Sequence, residues 1–91
     1  MDKNRYVKLA KHCVGLDGKK PYTRNSRKFY RPYRNYYYAK EDNEEWSVLE
    51  NAGYAKHLTS NMPGYASFYL TRKGLDWLGE QLGIYIYNEG N

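Results

Sequence analysis

Three stretches of this chain carry apolar residues at helical spacing, and a glycine follows each of them. Tyr6, Leu9, Ala10 and Cys13 stand at i, i+3, i+4 and i+7, ahead of Gly15. Trp46, Leu49 and Ala52 share a face, with Val48 beside them, ahead of Gly53. Leu75, Leu78 and Leu82 form a third stripe, with Trp77 at its edge, ahead of Gly83. That spacing gives a helix one apolar face, and glycine readily takes the left-handed conformation that ends a helix. The pattern predicts helices near 2–14, 43–52 and 72–82.

Start signals agree. Asp2 can cap the first helix, and Leu16 can fold back over its last turn. Asp42 with Glu45 resembles a capping box for the second. Thr71 caps the third. Between the second and third helices, Tyr54–Thr59 and Tyr65–Leu70 flank Ser60-Asn61-Met62-Pro63-Gly64, a run of turn residues. This predicts an antiparallel hairpin near 54–59 and 65–70. Tyr36-Tyr37-Tyr38 suits a short strand, and the alternation of Ile84-Tyr85-Ile86-Tyr87 suits another. With 91 residues the chain fits one α+β domain. Its expected core joins Trp46, Leu49, Tyr69, Leu75 and Leu78, closed by Leu9 and Cys13.

Residues 17–40 follow neither period. From Lys19 to Lys40 there are eight Lys/Arg, six Tyr, one Phe and no acid, and Pro21 and Pro32 interrupt regular structure. The part from Lys19 to Arg31 reads as extended or looping. The charge imbalance is larger than the net +5 suggests. Residues 1–40 hold 12 Lys/Arg and two acids, a formal +10, whereas residues 41–91 hold three Lys/Arg and eight acids, a formal −5. Either the first half meets an anionic partner or the two halves attract each other.

Arg and Lys can pair with phosphates, and tyrosine rings can stack on exposed bases. Lys19, Lys20, Arg24, Arg27, Lys28, Tyr30, Arg31 and Arg34 are therefore the candidate nucleic-acid-binding residues. A tyrosine-anchored protein contact and a purely structural strap, with rings on the core and charges in water, are the competing readings. Arg34-Asn35 also has a structural reading: Asn35 bonded at a buried turn, Arg34 paired with an acid such as Glu45.

Catalysis is not expected. His12 and Cys13 are adjacent on a helix and point about 100° apart, and no C-x-x-C or H-x-x-x-H spacing marks a metal site. Gly15-Leu16-Asp17-Gly18-Lys19-Lys20 lacks the Gly-Lys-Ser/Thr ending of a phosphate loop. The reading is of a non-enzyme with no cofactor and no metal. The first residues, MDKNRYVKLAK, lack the apolar run of a signal peptide, no stretch is long and apolar enough for a membrane span, and one cysteine cannot form an internal disulfide. The expected compartment is the cytoplasm, with no membrane partner.

Two resemblances add to this. Trp46, Leu49, Gly53-Tyr54 and then Tyr69-Leu70-Thr71-Arg72-Lys73-Gly74-Leu75 resemble the C-terminal part of a winged-helix domain, where a helix ends at glycine, a two-stranded wing follows, and an L-T-x-x-G turn opens the next helix. The resemblance covers residues 44–82 and implies a small winged-helix-like fold: three helices and a hairpin, with a basic helix and basic-aromatic segment at 1–40 and the winged-helix-like part at 42–87. The helix that would read DNA carries Glu44, Glu45 and Glu50 and no cation, and the wing tip Asn61-Met62-Pro63-Gly64 carries no charge. The standard reading mode is therefore not implied. The whole chain also resembles small phage and prophage proteins, through Gly15-Leu16, the Tyr33-Arg34-Asn35-Tyr36 block, the Trp-x-x-Leu helix and the Thr-x-x-Gly turn. That resemblance implies a bacterial host cytoplasm and supplies no chemistry. The function expected is non-catalytic binding, either of nucleic acid or of a host or phage protein.

Overall fold

Helix formation follows the three stripes. A computed structural model describes residues 3–88 and places α1 at Lys3–Val14, α2 at Glu44–Asn51 and α3 at Arg72–Leu82. Asp2, the expected cap of α1, lies outside the described residues. Around the helices stand six short strands: β1 (Tyr22–Arg24), β2 (Arg27–Tyr30), β3 (Tyr37–Lys40), β4 (Ala55–Thr59), β5 (Tyr65–Leu70) and β6 (Tyr85–Ile86). They make two three-stranded sheets, ordered β1-β2-β6 and β3-β5-β4. The second is antiparallel throughout, whereas β6 joins β2 in parallel. No helix among the described residues is long and apolar enough to cross a membrane.

The caps differ in detail from expectation. Thr71 accepts from the Gly74 amide at 3.1 Å and starts α3, and Gly83 ends it in the left-handed conformation. For α2 the cap is Asn43, not Asp42: its Oδ1 accepts from the Trp46 amide at 3.0 Å. The Asn43 amide donates to the Lys40 carbonyl in the turn leaving β3, and that turn sets the helix start one residue later.

The core lies between the helices and the inner face of the β3-β5-β4 sheet. Trp46, Leu49, Leu75, Leu78 and Cys13 are wholly buried, and Leu9 packs against them half-buried. Tyr69 is not with them. Phe68 takes that place, its ring 5.2 Å from Trp46 and nearly parallel to it. Successive strand residues face opposite sides, and the inner set of β5 is Ala66, Phe68 and Leu70, which leaves Tyr69 on the outer face.

A larger departure lies in residues 19–31. Expected to be extended or looping, they hold an antiparallel hairpin, β1–β2, across 22–30. What ties this hairpin to the body is the end of α1. The last four carbonyls of a helix lack partners within it. Here Leu16 N donates to Lys11 O, Gly15 N and Arg34 Nη2 to His12 O, Tyr36 N to Cys13 O, and Tyr30 Oη to Val14 O. Residues 30–36 thus serve three of the four. Gly15 sits at φ +83, and a Cβ there would lie 2.4 Å from the Tyr33 ring, so the clamp closes only over glycine.

Candidate functional site

The β1–β2 hairpin turns through two residues, Asn25 and Ser26, both at positive φ (51 and 64). That is the signature of a type I′ turn, whose twist matches the flanking strands. Cross-strand partners are Tyr22 with Phe29, Thr23 with Lys28 and Arg24 with Arg27. Because side chains alternate, one face carries Tyr22, Arg24, Arg27 and Phe29, and the other carries Thr23, Lys28 and Tyr30. Exposure falls from tip to base: every residue from Tyr22 to Lys28 is exposed, Phe29 is half-buried and Tyr30 is buried. The tip therefore stands out from the body.

Two like charges placed directly opposite each other destabilise a strand pair, and Arg24 faces Arg27 in this way. Among the described residues, no ion pair joins Lys19, Lys20, Arg24, Arg27 or Lys28 to a carboxylate. Four of the eight described acids are engaged elsewhere. Glu45 accepts from Arg5 at 2.9 Å, Asp17 lies against His12 and 3.8 Å from Arg34, Glu50 meets His57 at 2.7 Å, and Asp76 meets Arg72 at 2.7 Å.

The same face carries a column of rings. Tyr22 stacks on Phe29 with centroids 5.9 Å apart, and Phe29 stacks on Tyr87 at 6.2 Å. The Arg31 guanidinium lies over Tyr87 at 4.7 Å. Tyr85 packs edge-on to Phe29 and Tyr87, with the Arg72 guanidinium 5.3 Å above its ring. The Tyr87 amide donates to Tyr30 O and extends the β6 pairing by one residue. A groove of about 970 Å³ runs between this sheet and α3, with Arg27, Lys28, Phe29, Tyr85 and Tyr87 on one wall and Asp76 and Glu80 on the other.

Of the residues singled out from sequence, Lys19, Lys20, Arg24, Arg27, Lys28 and Arg31 are exposed, on the hairpin or beside it. Lys19 lies over the Tyr33 ring at 5.1 Å. Two are placed differently. Tyr30 is 3% exposed and donates to Val14 O at 2.7 Å, so its ring offers no surface to a base. Burial also pushes its phenol up. Arg34 is half-buried, bonded at 2.8 Å to His12 O and near Asp17 rather than Glu45. A hydrogen bond from His12 holds the Asp17 carboxyl below its ordinary value. A depressed carboxylate stabilises the fold above its unfolded-state pKa, and that contribution is lost as pH falls through the folded value. Asn35 is structural, but it bonds strand β5 rather than a turn: Oδ1 accepts from Leu70 N and Nδ2 donates to Leu70 O, both at 2.9 Å.

Sequence reasoning did not join Tyr85 and Tyr87 to the basic segment. The signal there was the alternation at 84–87, and a parallel pairing between segments far apart in the chain leaves no local mark. A second aromatic surface lies on the outer face of the β3-β5-β4 sheet, where Tyr38 stacks on Tyr65 at 5.5 Å and Leu58 is 64% exposed.

Comparison with protein-family models, with curated proteins and with solved structures finds no match.

Proposed function

We propose that this is a non-catalytic, phage-type binding protein that contacts nucleic acid through the β1–β2 hairpin and the basic residues beside it. The observation that carries the reading is Arg24 opposite Arg27 on a protruding tip, with Lys28 on its other face and, among the described residues, no carboxylate in an ion pair with any of the three. An anionic ligand removes the repulsion that this arrangement builds in. Phosphate is the anion that also explains the adjoining rings, since stacked aromatics beside a cationic track suit a nucleic-acid strand. The part from β3 to α3 then serves as scaffold. We read it as winged-helix-like, on the strength of the β3-β5-β4 order and the capped α3; the acidic start of α2, Glu44 and Glu45, keeps that helix away from phosphates. The bacterial host cytoplasm belongs to this reading through the phage resemblance. A second reading, a module that modulates a host or phage protein, rests on the Tyr38–Tyr65 face and Leu58.

The test replaces Arg24, Arg27, Lys28 and Arg31 together with Gln and measures binding to single- and double-stranded DNA and RNA at two salt concentrations. All four side chains are exposed, so the fold is expected to survive. The parent is expected to bind at about 50 mM salt. The variant should bind at least about 30-fold more weakly, with a log K versus log salt slope flatter by about 3. A parent that binds none of the four nucleic acids refutes this reading and leaves the protein contact. A variant that binds as well as the parent refutes the hairpin as the contact.

A further inference from the structure

We infer that the ligand is single-stranded, and that one of its unpaired bases stacks on Tyr22. This rests on the nucleic-acid reading above and goes beyond it. Phe29 is the middle member of the column, because β2 lies between β1 and β6 in the sheet. Tyr22 and Tyr87 therefore flank it on opposite sides. The Tyr87 end is closed by the Arg31 guanidinium at 4.7 Å. At the Tyr22 end, β1 is the edge strand, and the ring is 46% exposed. One position in the column is open, and a flat aromatic group extends it in register.

Charge chooses among flat aromatic groups. Arg24 and Arg27 stand on the same face as Tyr22 and Phe29, two cross-strand pairs nearer the turn. Two residues along a strand span about 7 Å, within reach of the phosphate joined to a stacked nucleotide. A base held inside a duplex has both faces covered by its neighbours and cannot meet Tyr22. An unpaired base can, and base–aromatic stacking tolerates any sequence.

The experiment compares the parent with Tyr22→Leu and Tyr22→Phe. The probe is a mixed-sequence DNA strand of about ten nucleotides, tested alone and annealed to its complement. Leucine keeps apolar contact with Phe29 but offers no ring face, whereas phenylalanine keeps the face. The parent should bind the single strand more tightly than the duplex. Tyr22→Leu should bind the single strand about 5- to 100-fold more weakly with its salt slope unchanged, and Tyr22→Phe should bind like the parent. The inference is overturned if Tyr22→Leu binds the single strand as the parent does, or if the parent holds the duplex equally well. In either case the nucleic-acid reading survives, provided the four-Gln variant has lost binding. A parent that binds neither probe overturns both.

Discussion

Replacing Gly74 with alanine is expected to destabilise the fold by about 3 kcal/mol or more, a large share of the roughly 5–15 kcal/mol typical of a domain. A Cβ built on Gly74 would lie 1.9 Å from the Tyr54 carbonyl oxygen and 2.8 Å from its carbon. Backbone cannot rotate aside as a side chain can, so the turn from α2 into β4 must move. That turn is the anchor of α3. The Tyr54 carbonyl accepts from Thr71 N at 3.0 Å, and Thr71 Oγ1 donates to Gly53 O at 2.7 Å while capping Gly74 N. Moving Tyr54 also disturbs its ring, stacked on Trp77 at 5.0 Å. Gly18 is the control: a Cβ there meets nothing within 4 Å, and Gly18→Ala should stay within about 0.5 kcal/mol. A denaturant titration of the two variants decides the matter. Equal midpoints would mean that α3 does not sit this close to Tyr54.

Asn35→Ala is expected to cost about 2–4 kcal/mol. Its side-chain amide acts as one more residue of β3. It both donates to and accepts from the backbone of Leu70, two pairs beyond the Tyr37–Phe68 match where β3 begins. Leu70 is 2% exposed, so alanine leaves a buried N–H and a buried C=O without partners, each costing about 1–3 kcal/mol. The Cys13 thiol, which donates to Asn35 Oδ1 at 3.5 Å, loses that contact too. Denaturant titration measures the total, and hydrogen exchange at the Leu70 amide localises it. A variant within about 0.5 kcal/mol of the parent, with Leu70 still protected, would show that the amide pair is dispensable.

Both residues were legible in sequence as markers, but not as mechanisms. Leu70-Thr71-Arg72-Lys73-Gly74 announced a capped helix. Why the fourth residue after the leucine must lack a Cβ became clear only from the Tyr54 carbonyl. Asn35 stood out beside Arg34, yet its partner is a strand end far along the chain. The helices and the β4–β5 hairpin were readable because each carries its own period and its own stop.

The β1–β2 hairpin was not readable for two reasons. Its turn is Asn25-Ser26, without the glycine that usually marks a two-residue hairpin. Its tip is exposed on both faces, so no apolar alternation develops. The basic surface was legible as composition, whereas the ring column was not, because Tyr87 reaches Phe29 through the non-local β2–β6 pairing. Tyr30 and Arg34 share the composition of their exposed neighbours. They were separable from them only once the carbonyls at the end of α1 were seen to need partners.

The central claim is that the hairpin tip is the surface that meets nucleic acid. The most direct measurement is an NMR titration of the isotopically labelled protein with a short single-stranded oligonucleotide at low salt. The largest amide shifts are expected from Tyr22 to Lys28, together with ring shifts at Tyr22, and added salt should reverse them. Shifts confined to Tyr38, Leu58 and Tyr65 on the other sheet, or no shifts at all, would contradict the account.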